Sequence, residues 1–322
     1  MTDSTRPEGR FPIRYGRHVD RARRDGRPIV ALESTLISHG LPRPDNLRVA
    51  REIEQVVRDN GAVPATIGMI GGELVVGLDD DQLSLLATAD GVAKLSVRDL
   101  AVAAARRADG ATTVAATSAV AAAAGIGVFA TGGLGGVHRE AGTTFDESAD
   151  LTTLSRTPIV VVCAGVKSIL DVGATLERLE TLGVGVAGYR TRRFAGFFVT
   201  DGGFDLDWEL DSPAQVADVM AARRDQEVHS GALVLANPLP VEEQLDPALH
   251  DRVLADGLAA LRRDGITGKA VTPFLLTHFH SSTEGRSLAV NVRIVLRNAA
   301  LAAEIAVADR PAPVHLGFGV PA

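Results

Sequence analysis

Of the 33 basic residues in this 322-residue chain, only three are lysines: Lys94, Lys167 and Lys269. A lysine retained where arginine serves almost everywhere points to work arginine cannot do. A lysine amine can lose its proton and attack a carbonyl to form an imine, whereas a guanidinium stays charged. Lys167 follows the apolar run "VVVCAG" and precedes a helical pattern, the place where ligands of parallel-sheet proteins collect. Glu33 closes another apolar run, "PIVALE", where partial burial suits a carboxyl to giving and recovering a proton. Lys94, opening "KLSVRDL", would supply fixed positive charge to an anionic group. A nucleophilic amine, a proton donor and a fixed cation together fit chemistry on a phosphorylated sugar. Chance survival of three lysines is the plain alternative for any one of them.

Two further stretches could serve such a substrate. In "ATGGLGGVHRE" the paired glycines would let backbone N–H groups approach an anion, with Thr131 and His138 adding side-chain donors. It matches neither a dinucleotide fingerprint nor a P-loop, and a purely structural glycine turn explains it equally well. "TFDESAD" gathers Asp146, Glu147 and Asp150, hard oxygen ligands suited to Mg²⁺ or Mn²⁺, although such clusters more commonly form solvated turns or helix caps. His278 and His280 have metal-ligand spacing only on a strand; "THFH" reads as helix, where positions two apart diverge, so they are surface residues.

Positioning these groups falls to alternating short β-branched runs and helical patterns. "PIVALE", "ATIGMI", "ELVVGL", "TTVAAT", "IGVFA", "IVVVCAG", "VGVAGY" and "ALVLANP" read as strands, with a Gly71-Gly72 turn between the second and third. A helix over 46–59 buries Leu47, Ala50, Ile53, Val56 and Val57, capped by Asp45 or Asn46 and ended by Gly61. Long helices near 246–264 and 290–308 close the chain. The expected architecture is α/β: a largely parallel central sheet covered by helices, an α/β/α sandwich in a single domain. Residues 1–17 read as a flexible arm, 18–309 as the catalytic domain and 310–322 as a proline-rich tail.

Composition excludes several classes. A net charge of −7, with no basic stripe beyond the first 27 residues, argues against nucleic-acid binding. No apolar run approaches a membrane span or a secretory signal. A single cysteine, Cys163, inside an apolar strand is a small buried hydrophobe compatible with a reducing cytoplasm.

Seven ordered blocks, among them "ALESTLISHGLPRPDN", "KLSVRDL", "ATGGLGGVHR", "TFDESADL" and "VVCAGVKSILD", closely resemble the pseudouridine-5′-phosphate glycosidases, from about Pro28 to Ala306. The resemblance implies reversible cleavage of the C–C glycosidic bond of pseudouridine 5′-phosphate to uracil and ribose 5-phosphate, in cytoplasmic pseudouridine catabolism. It makes Lys167 the imine-forming nucleophile on the ring-opened sugar and Glu33 the proton donor. It makes Lys94, Val114 and Ser148-Ala149-Asp150 substrate contacts, with His138 and Asn291 as further phosphate or base contacts, beside the Thr131 of the glycine-rich stretch, also expected to bind substrate. It implies one Mn²⁺ per subunit at Asp146, replaceable by Mg²⁺ or Fe²⁺, and a homotrimer.

The chain departs from the family pattern at Asp201, Gly202, Gly203 and Glu209 and in "THFHSST" before "GRSL", away from the positions assigned to chemistry. Two other readings stay open on the residues alone. A Schiff-base aldolase on a sugar phosphate would use the same lysine, and a non-catalytic nucleotide or sugar-phosphate binder would use the glycine-rich stretch.

Overall fold

The computed structural model describes residues 12–309 apart from Glu227 and His229. The chain opens with β1 (Arg14–Tyr15), α1 (Arg17–Arg24), β2 (Ile29–Leu32), α2 (Asp45–Asp59), the hairpin β3 (Val63–Ile70) and β4 (Glu73–Val76), and α3 (Asp80–Thr88). Next come β5 (Ala93–Leu95), α4 (Leu100–Ala105), β6 (Gly110–Thr112), α5 (Val114–Ala123) and β7 (Val128–Ala130). Two short helices, α6 (Ala141–Thr144) and α7 (Ala149–Leu154), lead into β8 (Val160–Cys163), α8 (Val172–Thr181), β9 (Gly185–Tyr189) and β10 (Glu209–Leu210). The chain continues with α9 (Pro213–Gln226), β11 (Leu233–Ala236), α10 (Pro247–Arg263), α11 (Val271–Ser282) and α12 (Arg286–Ala308).

The strands form one sheet in the order β1-β4-β3-β2-β7-β8-β11-β9-β10, with β6 also on β3 and β5 on β6. Every pairing is parallel except β3 with β4 and β3 with β6. Both faces are covered, and the strand period of two divides the core accordingly. Val30, Leu32, Val160 and Val162 pack with α2, α9 and α12. Ala31, Phe129, Val161 and Cys163 face the opposite cluster, which takes in α5, α7, α8, α10 and α11. This is the expected helix-covered, largely parallel sheet.

Three local expectations are corrected. "TTVAAT" is a strand only to Thr112; the Thr113 side chain accepts from Ala116 N and caps α5, whose alanine-rich sequence favours helix. Neither Asp45 nor Asn46 caps α2; Asn46 is buried and its Nδ2 donates to the carbonyls of Ile37 and Ala87 at 3.0 and 2.8 Å. The arm expected through residue 17 stops short, because Arg14–Tyr15 adds a strand to β4 and α1 starts at Arg17. Its first eleven residues and the tail from 310 lie outside the described residues. The Gly71-Gly72 turn is as expected, both glycines having positive φ, as a two-residue hairpin demands.

Burial pushes the Cys163 thiol up to about 12, so it stays protonated well beyond neutral pH. Native protein at pH 8 is therefore expected to leave Cys163 unmodified by a thiol-specific disulfide reagent, with stoichiometric reaction only after denaturation. Rapid labelling of folded protein would contradict the buried placement.

Candidate active site

The parallel strands β2, β7 and β8 lie side by side, so the residues after their C-terminal ends meet at one edge. Glu33 leaves β2, Thr131 leaves β7, and Lys167 lies four residues beyond β8. Glu33 is half-buried, and both its carboxylate oxygens accept hydroxyl hydrogen bonds, Oε1 from Thr131 and Oε2 from Thr35. The Lys167 Nζ donates to the Gly133 carbonyl at 2.7 Å, which aims the half-buried amine along the turn after β7. Gly133 has to be glycine: a Cβ there would lie 2.6 Å from the Phe197 ring.

Glu33, Lys94 and Lys167 line a cavity of about 380 Å³ together with Val114, Asp146 and Asp150. Ser148, Ala149 and His138 line the same space. A smaller adjoining cavity shares Glu33, Thr35, Lys94, Lys167 and Thr272, and is bounded by Phe197 and Asn291. The structure thus gathers nine of the anticipated residues around one cavity and sets Asn291 on the wall of its neighbour. Thr131 lines neither; it is 1% exposed and holds Glu33 instead.

The larger cavity is suited to an anion. Val114 opens α5 and Ala149 opens α7, so the starts of two helices border the space, which Lys94 and Arg98 also line. His39, in the smaller cavity, is held below the ordinary imidazole value by partial burial and by the positive charge of Lys94 and Arg43. It therefore faces that space uncharged at neutral pH.

The glycine-rich stretch works differently from a phosphate cradle. The Gly135 N–H donates at 2.8 Å to Asp150 Oδ2, and a Cβ at Gly135 would lie 2.3 Å from Ser148 Oγ. The anion met by that amide is the protein's own. Asp150 Oδ1 accepts from Ala115 N at 3.0 Å, so this carboxylate, 6% exposed, ties α7 to α5 and to the turn after β7. Asp150→Ala leaves one buried and one half-buried backbone donor unpaired and is expected to destabilise the fold by about 1–4 kcal/mol. In a thermal melt this is a fall of a few degrees or more, and a wild-type Tm would contradict the assignment.

The acidic loop does not converge as its sequence implied. Glu147 Oε2 accepts from Arg178 Nε at 2.9 Å, and both Asp150 oxygens are taken by backbone amides. Among the described residues no group of three or more His, Cys, Asp or Glu side chains is arranged to hold a metal. Asp146, Glu147 and Asp150 all border the cavity, and Asp146 meets His138, whose Nδ1 lies 3.8 Å from its Oδ2. One carboxylate fits a hard divalent ion that keeps most of its waters and is completed by substrate oxygens.

Several site residues escape a reading of the sequence. Thr35 lies two positions after Glu33 and could have been sought as its partner, whereas Arg98 is one arginine among many. Of the divergent segments, Asp201 pairs with Arg193 at 2.9 Å and lines neither cavity itself, although Phe197 of the same loop walls the smaller one. "THFHSST" falls at the end of α11, with His280 exposed and His278 half-buried.

Residues 18–308 match the family model described as indigoidine synthase A like protein. The pseudouridine-5′-phosphate glycosidase of Salinispora tropica is 78% identical over 93% of this chain and 92% of its own length. That of Staphylococcus aureus is 47% identical over 92% and 96%. Among solved structures, the prealnumycin C-glycosynthase AlnA in complex with ribulose 5-phosphate superposes with a TM-score of 0.85 at 38% identity, covering 92% of this chain and 97% of that one. An indigoidine synthase A-like protein of Thermotoga maritima gives a TM-score of 0.84 at 32% identity, covering 95% and 99%. Fold and sequence agree: the chain belongs to the indigoidine synthase A-like family, among its pseudouridine-5′-phosphate glycosidases.

Proposed function

We propose that this protein cleaves the C–C glycosidic bond of pseudouridine 5′-phosphate, reversibly, to uracil and ribose 5-phosphate. The observation that carries the reading is the convergence of Lys167, Glu33 and Lys94 on one cavity bordered by two helix N-termini. The relatives of that name and the neighbour solved with a pentulose phosphate support it.

A C–C bond offers no leaving oxygen to protonate, so the two-carboxylate route of ordinary glycosidases does not apply. Here the neutral Lys167 amine attacks the anomeric carbon and the ring oxygen leaves, giving an open-chain sugar bound through nitrogen. The nitrogen lone pair then forms C=N as the electron pair of the C–C bond passes to the uracil carbon. That carbon takes a proton, and water hydrolyses the imine to release ribose 5-phosphate and regenerate the amine. Glu33, held at both oxygens by Thr35 and Thr131, delivers and recovers protons beside Lys167. The phosphate binds near Lys94 and Arg98, beside the start of α5, and the base occupies the smaller cavity between Phe197 and Asn291. Asp146 would hold a hydrated Mn²⁺, or Mg²⁺ or Fe²⁺ in its place, whose chemistry would be to neutralise and orient substrate oxygens.

The expected working form is a trimer in the cytoplasm, acting in pseudouridine breakdown; light scattering of the purified protein tests the assembly. Among the described residues no helix is long and apolar enough to cross a membrane.

Uracil release from pseudouridine 5′-phosphate, measured with Mn²⁺, with a chelator and with unphosphorylated pseudouridine, tests the function. Release that needs the phosphate and falls on chelation is expected. No release from folded protein in any condition would overturn it, and a small carbonyl product from a sugar phosphate would identify an aldolase instead.

A further inference from the structure

Asn298 lies on α12 outside both cavities, 1% exposed, among apolar residues such as Ile294, Val295, Leu301 and Ala302. A carboxamide in such surroundings is costly unless its polar atoms are satisfied. Its Nδ2 donates to the Thr131 carbonyl at 2.7 Å and lies 3.4 Å from the Gly132 carbonyl. Its Oδ1 accepts from Asn237 Nδ2 at 3.0 Å, and the Asn237 N–H is fixed in turn on the Cys163 carbonyl at 2.8 Å.

Those two carbonyls belong to the turn that serves both reactive groups. Strand β7 ends at Ala130, so the Thr131 carbonyl lies just past the strand and Asn298 supplies its donor. The Thr131 hydroxyl holds Glu33, and the Gly133 carbonyl, two residues on, accepts from Lys167 Nζ. The Gly132 carbonyl also accepts from the Ala164 N–H at 2.9 Å, so what Asn298 adds is the side-chain tie at the Thr131 carbonyl, next to the hydroxyl that holds Glu33 and two residues before the carbonyl that holds Lys167. Asn291, seven residues earlier on the same face of α12, reaches the smaller cavity, so one helix both borders the site and fixes its floor.

We infer that Asn298 is the positioning residue that sets Glu33 and Lys167 relative to each other, acting through the Thr131–Gly133 turn and itself oriented by Asn237. The inference rests on the function proposed above only for its assay substrate. A role confined to the fold would lower stability and leave the kcat of the folded molecules unchanged; a positioning role lowers kcat and spares KM.

The test is Asn298→Asp, which keeps the shape but cannot donate to the Thr131 carbonyl when ionised, beside Thr131→Val and the double variant. Since misplacement of reacting groups by about 1 Å costs on the order of 10²-fold, kcat for uracil release is expected to fall by about 10–100-fold with KM within about threefold. The double variant should lose less than the product of the two single losses, because Thr131→Val has already removed the Glu33 leg through which Asn298 partly acts. Unchanged kcat in folded Asn298→Asp, or fully multiplicative losses, would overturn the inference. Should Asn298→Asp not fold, Asn237→Ala at the half-buried end of the relay takes its place: lowered kcat at unchanged KM supports the role and wild-type kcat removes it. Borohydride trapping of ribose 5-phosphate on Lys167 gives a second readout. Wild-type protein that traps the sugar but releases no uracil would remove the proposed function, and a slower trapping rate in Asn298→Asp would still uphold the positioning role.

Discussion

Lys167→Ala is expected to lower uracil release by about 10⁴-fold or more, the scale on which loss of a covalent nucleophile acts. Arginine at this position should fare no better, since a guanidinium cannot lose its proton and form the imine. The folded protein should survive either change. Lys167 is half-buried, and losing the hydrogen bond from its amine to the Gly133 carbonyl costs about 1 kcal/mol. The check is kcat in Mn²⁺-supplemented assays beside a thermal melt. Activity within about tenfold of wild type in a folded variant would exclude Lys167 as nucleophile and return attention to Lys94.

Glu33→Gln is expected to lower kcat by about 10²–10⁴-fold, the usual contribution of a positioned general acid or base. The amide is nearly the same shape; of the Thr35 and Thr131 hydroxyls that now donate to the carboxylate, one can turn to accept from the NH₂ while the other goes on donating to the oxygen. Stability should therefore change little, which separates loss of the proton from loss of the scaffold. The two variants are distinguished by trapping. Open-chain ribose 5-phosphate condenses with an amine by losing water, and borohydride reduces the C=N to a secondary amine. Glu33→Gln should still acquire this adduct on Lys167, whereas Lys167→Ala should not. If Glu33→Gln kept full activity across the pH range, the proton would have to come from another group, and His138 on the same cavity would be the next to replace.

Much of this protein is legible in the order of its residues. Alternating β-branched runs with Gly and Pro punctuation specify the largely parallel sheet, because strand and helix periods are local properties of the chain. The rule that sites gather beyond strand C-termini singles out Glu33 and Lys167, and the scarcity of lysine marks Lys94 and Lys167.

What the sequence leaves open depends on where distant atoms point. "TTVAAT" is β-branched enough to read as a strand, and its helix becomes evident only from the cap that Thr113 makes on α5. "TGGLGGVH" and "TFDESAD" admit a phosphate cradle and a metal cluster beside the plainer readings of a structural turn and a helix cap. In the fold each supplies what the other needs, the Gly135 amide meeting Asp150, while Glu147 pairs with Arg178 and Asp146 meets His138. Thr131 is expected to touch substrate, yet β2 and β7 are neighbours in the sheet, and its hydroxyl meets Glu33 across 98 residues. Asn298 carries no local signal at all, for an asparagine in a helix declares nothing until the carbonyls of Thr131 and Gly132, 167 and 166 positions away, come within its reach. Sequence alone determined the elements and the types of reactive side chain, since both follow from local preference and composition. The tertiary structure alone decided which hydrogen-bonding groups are free for substrate and which are consumed in holding the site, because that depends on pairings made across the whole chain.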